Sequence, residues 1–433
     1  MAHKNIKLKL HSFEALIKGL IAVFLAISCS NAIAVTLTDE IANALVGKWG
    51  RINFNIRWRH ENVDQDGFAN IANADTVRLR LGYLTPKFYD FQAFAEFEGN
   101  TWWFNENYNS TINGKRNFPV VLDPQRSEIN QGWLSYGGIP DTVVKAGRQR
   151  IIYDNHRWIG NVVWRQMEQT FDSVSILNQT IGNLEIQGAY LWNVRSIRSH
   201  DREISAPLVH LAYTIPYVGK LTSYAYLLDF VGNAPGNNPL DTKAPLRDST
   251  QSYGLRFEGK TWIVNNLNAL YTTEYAYQRD YKRNPNRYDV HYIHLIGGLE
   301  IPELAWGFAN LTAQVGWEHL GSQHNQSLQT PLGTNHVFQG WADQFLITPP
   351  QGIKDLYGTL STKFYGVQLI ATYHQFDSAV GGIDFGSEID AQAVKKFGDH
   401  YTVLLKYANF FSHSRKPFPQ DKQILWAELD IDF

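Results

Sequence analysis

From Arg51 to Phe433 the chain alternates between apolar and polar side chains, and no other feature narrows its fold so far. Ile52, Phe54, Ile56 and Trp58 interleave with Asn53, Asn55, Arg57 and Arg59. Val77, Leu79, Leu81 and Tyr83 interleave with Thr76, Arg78 and Arg80. A period of two describes a strand with one apolar and one polar face. The pattern returns at 91–98, 128–136, 142–150, 170–178, 183–193, 206–215, 220–230, 250–258 and 267–279. It continues at 289–300, 308–320, 354–362, 365–375, 386–396, 400–410 and 423–433, which predicts eighteen strands. After residue 35 no stretch approaches the roughly 18 apolar residues that a membrane-spanning helix requires. Yet 14% of the residues are aromatic, while the mean hydropathy is only −0.30. Strands that cross a membrane produce this combination, because alternation hides their hydrophobicity from any average.

The connections sharpen the reading. They are tight at 85–87, 137–141, 216–219, 363–364 and 397–399. Between them lie long polar segments near 100–127, 151–169, 231–249, 321–353 and 411–422. An even strand number, with short turns at one end and long loops at the other, predicts an all-β fold. It is a transmembrane antiparallel β-barrel of about 18 strands, with short periplasmic turns and long extracellular loops. A propeller would repeat every 40–50 residues, and no such period is present. The polar run 62–74 suggests a calcium loop but lacks the later acidic ligands, so it reads as a turn. In the last ten residues Ala427, Leu429, Ile431 and Phe433 alternate with Glu428, Asp430 and Asp432. This end resembles the closing strand of bacterial outer-membrane barrels, whose final aromatic residue the barrel-assembly machinery reads.

Residues 1–34 have the pattern of a secretory signal peptide. Lys4, Lys7, Lys9 and Lys18 precede an apolar stretch from Leu20 to Ile27, and Ala32-Ile33-Ala34 supplies a small-residue cleavage site. A lipoprotein signal using Cys29 is the competing reading, but Ala26 stands where that motif usually has Leu. Cleavage after Ala34 would remove the one cysteine, and with it any disulfide or cysteine-based metal site. It would also lower Lys+Arg from 39 to 35 and Asp+Glu from 41 to 40, for a net charge of −5. Any affinity for anions is therefore local, and nothing indicates a nucleic-acid partner. Residues 35–50 read as a short periplasmic lead-in, within which 36–48 can form a helix with Ile41 and Leu45 on one side. The barrel itself is expected over 51–433.

Charge decides which face of each strand meets lipid. An Arg on the lipid face near the midplane costs roughly 2–4 kcal/mol, so Arg57, Arg59, Arg78 and Arg80 point inward. Glu96, Glu98, Arg256, Glu258, Glu274, Glu318 and Glu388 follow by the same logic. Trp58, Tyr83, Trp192, Tyr277, Trp317 and Trp426, near strand ends, suit the interfacial girdles. The inward charges allow two arrangements. In one, Arg–Glu pairs brace the wall, with Arg59, Arg78 and Glu96 as a candidate ladder. In the other, unmatched arginines form a positive constriction that selects anionic solutes.

Three stretches are more specific. The first joins Arg57-Trp-Arg-His-Glu-Asn-Val-Asp-Gln-Asp-Gly-Phe68 to Asp75-Thr-Val-Arg-Leu-Arg-Leu-Gly-Tyr83 and Phe94-Ala-Glu-Phe-Glu98. The second runs from Lys145-Ala-Gly-Arg-Gln-Arg150 through Asp154-Asn-His-Arg-Trp-Ile-Gly160 to Trp164-Arg-Gln and Thr170-Phe-Asp-Ser173. The third is Thr334-Asn-His-Val-Phe-Gln-Gly-Trp-Ala-Asp343 with Asp355-Leu-Tyr357. Together they resemble the alginate export family of bacterial outer-membrane porins, over nearly the whole chain. The resemblance implies a monomeric 18-stranded barrel that passes an anionic uronate polymer out of the periplasm through an arginine-rich constriction. Carried onto this sequence, the lining residues are Arg57, Arg59, Arg78, Arg80, Arg148, Arg150 and Arg165, with Glu96 and Asp172 as acidic partners.

A porin for small organic anions or oligosaccharides is the alternative. The expected partners are the anionic solute, outer-membrane lipid, the assembly machinery through Phe433 and periplasmic export proteins. Transport would be passive and without a cofactor, since no phosphate-binding loop is present. An enzyme is not indicated: the chain has no Gly-x-Ser-x-Gly and no His-Glu-x-x-His. Alternation puts His291 and His294 on opposite faces of their strand, which argues against a metal pair. The loop 321–353, with Phe338, Trp341 and Phe345, is the candidate for an inward-folding lid or an outer cover.

Overall fold

The computed structural model describes residues 31–231, 245–414 and 419–433, with backbone alone for 31–37 and 245. Among the described residues, eighteen antiparallel strands form one closed barrel. The first nine are β1 (Gly50–Gln65), β2 (Ala72–Leu84), β3 (Phe91–Asn107), β4 (Arg126–Ile139), β5 (Thr142–Gln149), β6 (Thr170–Asn178), β7 (Leu184–Arg195), β8 (Asp201–Ile215) and β9 (Gly219–Phe230). The second nine are β10 (Thr250–Val264), β11 (Leu267–Asp280), β12 (Asp289–Glu303), β13 (Phe308–Leu320), β14 (Ile353–Phe364), β15 (Val367–Asp377), β16 (Asp384–Phe397), β17 (Tyr401–Ser412) and β18 (Lys422–Asp432). Each pairs with its predecessor, and β18 closes the ring on β1 from Gln65↔Lys422 to Asn55↔Asp432. Closure leaves no sheet edge, which a membrane-spanning sheet requires.

The turns leaving β2, β4, β6, β8, β10, β12, β14 and β16 are all short and lie at the end that holds the start of β1 and the end of β18. The opposite end carries the long connections 108–125, 150–169 and 321–352. The strands outrun the alternation that announced them. β1 reaches Gln65 and β3 reaches Asn107, because ladder hydrogen bonds join backbone groups and do not need an alternating apolar row to continue. Ahead of β1, helix α1 (Asn31–Ala44) ends earlier than the expected 36–48, as Val46–Gly47 turns to pair with Gly50 and Arg51. Most of the segment read as a signal peptide lies outside the described residues.

The two faces separate as the charges require. Leu81, Ile129, Leu255, Leu295, Val315, Leu356 and Leu360 are exposed on the outer face, whereas Arg59, Arg78, Glu98, Glu274, Glu318 and Glu388 are buried inside. His291 is on the outer face, bonded to the Tyr275 hydroxyl, and His294 is inside, against Tyr357. One girdle assignment is corrected. Trp426 shares the inward phase of Glu428 and Asp430 and is fully buried against Trp164 and His336. Beside the charged wall, Gly147 has φ +123, and a Cβ there would lie 2.2 Å from the Gly132 carbonyl oxygen. Only glycine permits that close approach, which sets the course of β5 into Arg148 and Arg150.

Candidate functional site

The inner wall of β1, β2 and β18 concentrates cations. Arg57 and Arg78 stand directly opposite each other in the β1–β2 register, a like-charge pair that needs compensation. It comes from β18. Arg57 Nε donates to Asp430 (3.0 Å), and Arg59 donates to Glu428 through Nε (2.9 Å) and Nη2 (2.6 Å). Arg78 lies 3.6 Å from Asp430 and donates to Asn55. Arg80 donates to Glu98 on β3 and lies 3.7 Å from Glu168. On the adjoining wall Arg148 makes a two-pronged bond to Asp172 (2.7 and 2.9 Å), and Arg195 pairs with Glu128.

Two long loops fold into the lumen and complete the site. In 150–169, Arg150 bridges Glu168 (2.5 Å) and Glu96 (3.0 Å). Arg157 reaches Glu318 on β13 at 3.0 Å, and Trp158 Nε1 donates to Glu274 on β11 at 2.8 Å. Tyr153 stacks on Tyr226 while Asp154 takes bonds from His210 and Lys220, fixing the loop to β8 and β9. Returning across the lumen, Arg165 meets Glu61 (3.2 Å), Asp123 (3.7 Å) and Asp343 (2.9 Å). This loop therefore touches both walls.

The loop 321–352 folds inward beside it rather than over the rim. Gly160 donates to the Leu332 carbonyl and Thr334 to that of His156, so the two loops share backbone bonds. Phe345 packs among Phe376, Phe385 and Phe410 at the outer ends of β15 to β17. Phe338 lies under Arg157. Lys406, from β17, is where the two loops meet the wall. Its ammonium is 4.1 Å from the Trp164 ring and 3.9 Å from the Trp341 ring, and it donates to His336 Nε2 at 2.7 Å.

All seven arginines named from sequence, with Glu96 and Asp172, thus lie on the inner face or on an inward loop. Their pairing differs from what the alternation suggested. Arg59, Arg78 and Glu96 form no ladder: Arg59 pairs with Glu428, Arg78 with Asp430 and Glu96 with Arg150. Nor are the arginines unmatched, since each has a carboxylate within 4 Å. Three keep some openness to the lumen, Arg57 at 11%, Arg148 at 22% and Arg150 at 33%, whereas Arg59 and Arg78 are at 1%. Sequence reading missed Asp123, Glu168, Asp343, Arg157 and Lys406. The first four sit in loops without periodicity and Lys406 is the single charge of its strand, so alternation gave none of them a role, although Arg157 and Asp343 fall within the stretches that carry the resemblance.

His336 has a defined proton. Burial, together with the neighbouring Lys406 and Arg165 charges, pushes it down to about 3, although Asp343 pulls the other way. The neutral ring donates from Nδ1 to Asp343 (2.7 Å) and accepts from Lys406 at Nε2. Burial disfavours the Asp343 carboxylate, but the His336 bond and the Arg165 guanidinium outweigh it and hold the group below the usual carboxylate range. A histidine depressed from its ordinary value binds its proton in the unfolded chain first. Its contribution is complete above about pH 6.5 and is lost as pH falls toward about 3. The urea midpoint should therefore fall across that window, and His336→Gln should flatten the slope, as read by heat-modified gel migration. An unchanged slope would mean that His336 does not carry the effect.

A closed antiparallel barrel with long loops turned into a charged lumen defines an outer-membrane channel of the porin type. The sequence profile of alginate export proteins matches residues 49–306, more than half of the chain, and the chain belongs to that family. The match includes the first two stretches singled out above and ends before the third. None of the curated proteins compared matches in sequence. In fold the chain is similar to OccK1 (OpdK) of Pseudomonas aeruginosa, with a TM-score of 0.65 and 11% identity over 88% of this chain and 98% of that one. OpdK solved with vanillate aligns equally well, at 0.65 and 11% over the same shares. OccAB4 of Acinetobacter baumannii aligns at 0.65 and 12%, over 90% of this chain and all of that one.

Proposed function

We propose that the chain passively conducts carboxylate-bearing saccharides across the outer membrane, with a polyuronate as the polymeric case. The observation that carries this is the row of paired but still open arginines, Arg57, Arg148 and Arg150. An arginine already bonded to a wall carboxylate offers a solute carboxylate an exchange rather than a tight site. Conduction needs binding at several places that is weak enough to be left. Membership of the alginate export family supports the polymer. A second reading, small organic acids, is supported by the two loops that cross the lumen and by the similarity to OpdK, a barrel solved with vanillate.

Reversal potentials in planar bilayers under a salt gradient test the shared part. The wild type should prefer anions, and Arg148→Ala with Arg150→Ala should weaken that preference severalfold. Because Asp172 and Glu96 would then lose their arginine partners, and Glu168 would keep only Arg80, the variant can even turn toward cations. Equal or cation preference in the wild type would overturn the proposal. Block by added polyuronate, against free passage of monouronate only, separates the polymer from the small acid.

A further inference from the structure

The turn 339–343 has the geometry of an anion receptor. Gln339 (φ +50), Gly340 (φ +79) and Asp343 (φ +57) all take left-handed backbone, a conformation that non-glycine residues seldom adopt. The turn aims two successive N–H groups at the wall. Trp341 N–H donates to Asp390 Oδ2 at 3.1 Å, and Ala342 N–H donates to Glu388 Oε1 at 2.6 Å. Two successive N–H groups of one turn thus each hold a carboxylate oxygen, on neighbouring side chains of one strand, and successive N–H groups in such turns form a nest, the backbone arrangement that binds phosphates and carboxylates. Both acids come from β16 and are fully buried. At Gly340 a Cβ would lie 2.4 Å from Glu388 Oε2, so the carboxylate fits only because no side chain is there.

What holds this segment is side-chain contact, polar and aromatic, rather than backbone pairing. Among the described residues no backbone ladder ties 335–343 to a strand. Its attachments include the two carboxylates in the nest, Lys406 on His336 and beside Trp341, Arg165 on Asp343, Gln339 on Glu318, Arg157 on Gln339 and over the Phe338 ring, and the Trp164 ring stacked on His336. The wall thus fills the receptor with the same chemical group that an acidic saccharide carries.

We propose that 335–343 is a lid and that its turn is a carboxylate receptor, occupied by Glu388 and Asp390 when shut and by solute carboxylates when open. This rests on the reading that the solute is anionic. A ligand that binds only the open form shifts the population toward it by its affinity for that form, and a neutral sugar without a carboxylate has no such leverage. The backbone N–H groups read the carboxylate and not the ring, so uronates of different stereochemistry should act alike.

The test uses the full barrel with its one native cysteine, Cys29, removed and a single cysteine placed at Ala342, a buried position whose backbone N–H is retained. In liposomes, labelling by a charged thiol reagent reports lid opening. Labelling should be slow in buffer, about tenfold faster with millimolar uronate oligomer, and unaffected by a neutral oligosaccharide of equal length. Adding Gly340→Ala, which drives a methyl group into the Glu388 carboxylate, should give fast labelling without solute. Protection in every background, Gly340→Ala included, overturns the lid. Fast labelling in Gly340→Ala with indifference to uronate overturns the receptor. Reversal potentials measured on the same protein report separately whether anions are preferred, so failure of the receptor is distinguishable from failure of the anionic reading.

Discussion

Replacing residues 335–343 by a short Gly-Ser bridge is expected to raise single-channel conductance severalfold while leaving the barrel folded. The segment lies inside the lumen, where Trp341 covers Lys406 and the turn covers Glu388 and Asp390. Its removal uncovers the inner face of β16 and β17 and detaches the 321–352 loop from Arg165. The ladders of β13 to β18 do not pass through it, so the wall should persist. The exposed Glu388, Asp390 and Lys406 would then be hydrated rather than paired with the loop. Conductance in planar bilayers, with heat-modified migration as the folding control, is the measurement. An unchanged conductance would place the main path elsewhere in the lumen and remove the lid from the transport argument.

The second large effect is expected on stability. Arg165 is the common partner of three acids from three parts of the chain: Glu61 on β1, Asp123 in the 108–125 connection and Asp343 in the 321–352 loop. Arg165→Ala leaves these carboxylates facing one another at a buried position. Removing one partner of a buried ion pair costs about 3–5 kcal/mol, because the remaining charge is uncompensated. Urea midpoints of the refolded barrel should fall accordingly. Arg165→Ala combined with Asp343→Asn should recover part of the loss by removing one of the stranded charges. If the single variant unfolds at the wild-type midpoint, water reaches these acids and the cluster does not hold the loops together.

Much of this architecture was legible in the amino-acid order. Alternation located all eighteen strands, and the cost of burying Arg57, Arg59, Arg78 and Arg80 in lipid assigned their faces. The same rule, applied to β18, places Trp426 inside with Glu428 and Asp430. Treating it as a girdle residue on its aromatic character alone set aside the phase information that its neighbours carried. The ion pairs were not legible. Arg59 meets Glu428 because β18 closes on β1 across 369 residues of chain, and a register set by ring closure leaves no trace in local sequence.

The division has a physical reason. A strand in a membrane answers to two solvents, lipid outside and lumen inside, and that requirement is written residue by residue, so the chain by itself determined the barrel, the strand faces and the inward direction of the arginines. The loops answer to neither solvent. Their side chains find partners wherever the closed wall presents them, as Arg157 finds Glu318, Trp158 finds Glu274 and Lys406 finds His336. Only the tertiary structure decided that the arginines are paired rather than free, and that 150–169 and 321–352 turn into the lumen. Both outcomes depend on contacts between segments that become neighbours only after the ring has closed.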